Sequence, residues 1–390
     1  MKSKKILSIL LIVLVYIASA GIAYLLFSQT SLGNIASTNV PAPTKGADGQ
    51  LVFDQTLPKT EVCPINGAKY SKQQKTWWEK HGPLGVMIEN HQNARPQSGL
   101  SFADVVYEAV AEGGITRFLA IYYCQDAIQV GPVRSARTYF IDFASEYGPF
   151  PLYAHVGGAN QPGPADAISQ LTDYGWTGNN DLNQFSIGFP VFWRDYQRLG
   201  HDTDTEHTMY STTQKLWDYA RTDRKLTNVN EDGDEWDTDF EQYEFKDDAS
   251  VSERGKSQSM HLEFWTGDKN YYVDWTYDPA LNVYKRNNGG VPHIDRDTDK
   301  QITAKNVIVL SMSESSANDG YENNVHLLYK TKGTGKATIF MDGKKTTGTW
   351  QKSNRTARTV VLDASGSPVE FNRGTIWFEI LPLDGVLTVK

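Results

Sequence analysis

The sequence predicts an α+β or α/β N-terminal domain with a mixed sheet, followed by an antiparallel all-β C-terminal domain. Three observations predict it. Up to residue 229, short β-branched and aromatic runs bounded by glycine and proline alternate with stretches of helical spacing. Residues 230–248 then hold ten acids against one base, Lys246. Beyond them nearly every apolar run has strand length and is bounded by turn residues.

The N-terminal end is different in kind. Residues 6–27 read ILSILLIVLVYIASAGIAYLLF and carry no charge. At about 1.5 Å per helical residue the run spans about 33 Å, enough to cross a hydrocarbon core of about 30 Å. Lys2, Lys4 and Lys5 flank it on one side only. Residues 1–5 are therefore expected as a cytoplasmic tip and 6–27 as a transmembrane signal-anchor in the lipid bilayer. The rival reading is a signal peptide with its apolar part at 6–17, cleaved after Ala20. Both readings put the soluble part on the extracytoplasmic side of a cell membrane. No cysteine follows the segment to take a lipid. Residues 28–60, rich in Ser, Thr, Pro, Gly and Ala, read as a flexible linker.

In the first folded region, 61–229, strands are expected at 83–89, 103–109, 116–123 and 151–156. A helix is expected over 134–147, where Phe140, Phe143, Ala144 and Tyr147 recur at helical spacing before Gly148. Further helices are expected at 165–171 and 213–221. The acid-rich stretch, 230–250, reads as a solvated linker. In 251–390 strands are expected at 260–265, 271–275, 307–310, 325–329, 337–341, 359–362 and 375–381. Turns are marked by Asp342-Gly343, Ser365-Gly366 and Asn288-Gly289-Gly290.

Composition limits what the chain does. It is 39 % hydrophobic and 22 % charged over 390 residues, enough for a sizeable core. The net charge is -8 and three of the lysines lie in the tip, so the outer part is acidic and nucleic acid is excluded as a partner. The two cysteines, Cys63 and Cys124, are an even number in an exported chain, which points to a disulfide; two unpaired thiols are the alternative.

Unusual chemistry concentrates in 84–137. Arg134 and Arg137 are three apart at the start of the expected helix, where the backbone already presents partial positive charge. Unless the protein's own acids answer them, they call for an anion from outside. Arg95 and Arg117 would add positive charge, and Glu89, Asn90, Gln97 and Ser135 would orient a ligand. Glu89 and Glu108 are the catalytic candidates. No nucleotide-binding, nucleophile-elbow or zinc motif is present, so neither cofactor nor metal is expected. His91, His155, His201 and His207 fit no ligand spacing. The run from Asn228 to Asp239 follows calcium-loop spacing only in part.

The segment PLGVMIENHQNARPQSGLSFADVVYEAVAEGGITRFLAIYY, followed by GPVRSART, resembles the N-terminal domain of the YerB-like bacterial envelope proteins, a two-domain family of unknown function. Gly333-Thr334-Gly335-Lys336, Gly348-Thr349-Trp350 and Gly374-Thr375-Ile376-Trp377 resemble its second domain. The family's polar positions fall on Glu89, Asn90, Arg95, Gln97, Asp104, Glu108, Thr116, Arg117, Arg134, Ser135 and Arg137. His207 and Tyr210 resemble a later element, although Glu206 and Thr208 depart from its usual neighbours. Some members are lipoproteins. The resemblance implies architecture and location, and no reaction. Three functions fit the residues: binding of an anionic or carbohydrate-like cell-wall ligand, an enzyme acting on a phosphorylated or glycosidic envelope substrate, or a scaffold recruiting protein partners that the sequence does not identify.

Overall fold

The computed structural model describes residues 13–20, 40–46, 49–255 and 258–390. Val13–Ala20 is helical; the rest of the 6–27 span and most of the 28–60 linker lie outside the described residues. Among the described residues no helix is long and apolar enough to cross a membrane. The unit Pro43–Lys390 carries everything that follows.

Apolar runs without a polar face form strands where both faces are covered. Leu84–Glu89 (β1) is buried at all its positions, and Val105–Glu112 (β2) and Ile115–Tyr122 (β3) are buried except at Glu112 and Ile115. The turn between β2 and β3 is Gly113-Gly114, with φ of 56° and 84°, a conformation that suits glycine. Lys72–Trp78 (α1) starts on a capping box of Ser71 and Gln74 and buries Trp77 and Trp78. Thr138–Ala144 (α2) is buried throughout. Leu152–His155 (β4), Ala167–Asp173 (α3), Asp181–Asn183 (β5) and Thr213–Asp223 (α4) complete the N-terminal region.

The helix expected from residue 134 begins only after Arg137, which is extended (φ -138°, ψ 148°). Residues 133–136 instead bond to neighbouring strand ends. The Arg134 N–H donates to Met87 O at 2.9 Å, and the Arg134 carbonyl accepts from Val156 N at 3.0 Å. Arg134 and Arg137 are therefore not neighbours on one helix face.

The C-terminal region is mostly antiparallel strand. Its elements are Ser259–Glu263 (β6), Val273–Asp278 (β7), Val283–Asn288 (β8), Asn306–Met312 (β9), Gly333–Met341 (β10), Lys344–Lys352 (β11), Val360–Leu362 (β12), Ile376–Pro382 (β13) and Val386–Val389 (β14). Strands β8, β11 and β14 were not expected. In β8 the buried positions are Tyr284, Arg286 and Asn288, so its inward face is largely polar and hides the apolar alternation.

One sheet runs β12–β11–β10–β9–β13–β2–β3–β1–β4–β5. It crosses from one region to the other at β13, which pairs in parallel with β9 on one side and β2 on the other. A smaller antiparallel sheet includes β8–β7–β6–β14.

The acidic stretch 230–250 is packed rather than solvated along its length. Its carboxylates face water while Trp236 and Tyr243 are buried. Trp236 Nε1 donates to the Tyr123 hydroxyl at 3.1 Å. Phe245–Lys246 pairs in parallel with Phe371–Asn372. Within the calcium-like loop, the Asn230 side chain accepts from the Asp232 and Asp234 N–H groups and closes an internal turn.

Candidate functional site

The residues singled out by sequence fall into three places. The first is an arginine cluster closed by one acid. Glu112, at the end of β2, meets Arg117 of β3 at 2.9 Å and Arg137 at 2.5 Å. Arg117 also donates to Ser135 O and Arg137 to Ala136 O, each at 2.9 Å. Arg117 is 1 % exposed and Arg137 4 %. Burial alone would raise the Glu112 carboxyl, but the guanidinium charges outweigh it and hold it down at about 2. This corrects the expectation for Arg117 and Arg137: an internal carboxylate answers their charge, and both side chains are nearly buried.

The second place is a sealed polar core. Glu108 is fully buried, with Oε2 on Arg286 at 2.5 Å and Oε1 accepting from the Thr116 hydroxyl at 2.7 Å. The Arg286 guanidinium lies over the rings of Phe118, Trp275 and Trp377. It donates to His293 Nδ1, and His293 Nε2 in turn donates to Gln97 Oε1 at 2.8 Å. Gln97 passes its amide protons to Glu89 O and Asn90 Oδ1, each at 2.9 Å. Arg95 donates to the Asn90 side chain and backbone and packs over Tyr271, 5.2 Å from the ring centre. Burial, then the Arg286 charge, lowers Arg95 to about 10. Asn90, Arg95 and Gln97 thus fasten the two regions together, and Glu108 is out of reach of a substrate.

The third place is a buried pair beside an open cleft. At the C-terminal end of β1, Glu89 Oε1 lies 3.3 Å from Arg134 Nε, and Oε2 lies 2.9 Å from His207 Nδ1. Burial opposes charge on His207, but the hydrogen bond and charge of Glu89 prevail and raise its pKa. The His207 ring stacks on His91 with centres 4.8 Å apart. Burial and the neighbouring His207 lower His91.

Beside this pair is a cleft of about 570 Å³ lined by Arg134, Ser135, Asn160, Asn183, Phe185 and Arg194, among others. It lies outside the C-terminal ends of β1, β4 and β5, which run parallel to one another. Phe185 is 74 % exposed and lies across Gly157, where a Cβ would come within 2.9 Å of the ring. Under the cleft, His155 holds Asp181 and Gly157 O, each at 2.6 Å. Of the expected ligand residues, Arg134 and Ser135 reach the cleft. Sequence reasoning missed Asn160, Asn183, Phe185 and Arg194, which follow no motif and are brought together by the strand ends. It missed Arg286 and His293 for the same reason.

This arrangement can be set beside known proteins. Residues 69–227 match the N-terminal domain, and residues 260–378 the C-terminal domain, of a family described as protein of unknown function (DUF3048). The chain belongs to this YerB-like, two-domain family. Its relative "Putative lipoprotein YerB" of Bacillus subtilis (strain 168) is 29 % identical over 322 residues, covering 82 % of this chain and 86 % of the relative. The crystal structure of the YerB protein from Bacillus subtilis aligns with a TM-score of 0.67 at 26 % identity, over 84 % of this chain and 100 % of that one. The two DUF3048 matches fall on either side of the packed acidic stretch.

Proposed function

We propose that the chain is a membrane-anchored extracytoplasmic protein whose cleft binds an anionic carbohydrate of the cell envelope. The cleft carries the reading: it is open, is lined by two guanidinium groups and two amides, and has an exposed phenyl ring at its edge. Sugars present apolar faces to aromatic rings and hydroxyls to amides, and a phosphate or carboxylate on the sugar would meet Arg134 and Arg194. The name of the Bacillus subtilis relative supports an envelope location. Cys63 and Cys124 are bonded to each other, so neither offers a thiol for lipid, and residues 6–27 are the anchor we assign.

Binding fits better than catalysis. Both Glu89 oxygens are occupied by Arg134 and His207, and Glu108 is sealed on Arg286. The test is the thermal shift of the full-length chain with phosphorylated and uncharged wall saccharides. A rise in melting temperature with the phosphorylated saccharide, lost in Phe185→Ala and in Arg134→Ala, is expected. No shift with either saccharide, or a shift that both variants retain, overturns the reading.

A further inference from the structure

The segment Asp204-Thr205-Glu206-His207 lies at the rim of the cleft, in a single turn spanning Thr205–His207. Asp204 precedes the turn but its side chain does not cap it. Arg194 holds the turn's backbone by donating to Thr205 O, and also donates to the Thr208 hydroxyl at 3.2 Å. The side chains of Asp204 and Glu206 are left free to converge. A carboxylate oxygen of each and a ring nitrogen of His207 all lie within 4.8 Å of one another.

Two exposed carboxylates this close repel each other, and no arginine or lysine of the described residues pairs with either. His207 differs from them in being 4 % exposed. Its Nδ1 is fixed by Glu89 at 2.9 Å and its ring is clamped against His91, while among the described residues Nε2 makes no hydrogen bond. A buried imidazole held by a carboxylate on one nitrogen and open on the other is how proteins orient a metal-binding histidine.

We infer that Asp204, Glu206 and His207 bind a divalent first-row transition ion, with Glu89 as the residue that positions His207. One imidazole nitrogen with two carboxylates suits Zn²⁺ or Mn²⁺ better than Ca²⁺ or Mg²⁺, which take oxygen ligands. Three protein ligands leave positions open toward the cleft, since Thr205 and Glu206 line it. The site stands whether or not the cleft takes a saccharide.

The test uses the full-length chain stripped with EDTA and titrated with Co²⁺, read by its visible absorption, and with Zn²⁺ in competition with a chromogenic chelator. One equivalent of each ion is expected to bind. Asp204→Asn and Glu206→Gln change exposed side chains, and each is expected to weaken Zn²⁺ binding at least about tenfold. Glu89→Gln, which touches no ion, is expected to weaken it by about 10- to 100-fold. An Asp218→Asn control, on the exposed face of α4, is expected to bind as the parent does. A parent that takes up no stoichiometric Zn²⁺, or an Asp204→Asn, Glu206→Gln double variant that binds as the parent does, overturns the assignment.

Discussion

Glu108 and Glu379 stand directly opposite each other across the parallel pair β2–β13, and neither has exposed surface. One guanidinium, Arg286, serves Glu108. Glu379 accepts from Trp275 Nε1 at 2.7 Å. The place where the two regions share a sheet therefore contains two acids and one base, surrounded by aromatic rings.

Burial, then the Glu108 charge, holds the Glu379 carboxyl well above its usual 4.5. A raised folded-state pKa means stability that is present below pH 4.5 and lost as pH rises through the raised value. Glu379→Gln keeps the acceptor for Trp275 and removes the ionisation, so its stability is expected to exceed the parent's at alkaline pH. Arg286→Met leaves Glu108 buried without its partner and is expected to cost about 3–5 kcal/mol. Denaturant unfolding against pH measures both; parallel pH curves for the parent and Glu379→Gln would refute the first.

The opposite sign holds at Glu112. The charges of Arg117 and Arg137 outweigh the effect of burial and depress it to about 2, so its contribution is present above 4.5 and lost as pH falls toward 2. Glu112→Gln is expected to cost about 3 kcal/mol at neutral pH, because two nearly buried guanidinium groups lose their counter-charge. Its acid-side unfolding curve is expected to flatten. A neutral-pH loss below about 1 kcal/mol would show that solvent answers these arginines instead.

The bond between Cys63 and Cys124 closes a loop with a sequence separation of 61 residues. In the chain-entropy account this stabilises by about 4 kcal/mol, and a Cys63→Ser, Cys124→Ser variant is expected to lose that amount. Equal midpoints for the variant and the oxidised parent in denaturant would contradict it.

How much was legible follows from the range of each interaction. Strands β1, β2, β3 and β13 are largely apolar, bounded by breakers and readable from a window of a few residues. Strand β8 was invisible because Arg286 and Asn288 point inward, toward partners that only the fold supplies. Arg134 and Arg137 looked like a helical pair because helical spacing in 140–147 was extended backward. Hydrogen bonds from residues 133–136 to β1 and to the end of β4 draw that segment out instead. The countercharge for Arg137 is Glu112, 25 residues away, and the partner of Glu108 is 178 residues away.

The sequence by itself determined most of the apolar strand-forming segments, the change from mixed to antiparallel structure, the acidity of the chain and the family. The first three are set by local periodicity and composition, which no partner alters, and the last by the motifs that carry the resemblance. Tertiary structure alone decided which charges remain open. Whether a guanidinium meets a carboxylate or water depends on which strands become neighbours. That selection closed Arg117 and Arg137 and left Arg134 at the edge of a cleft.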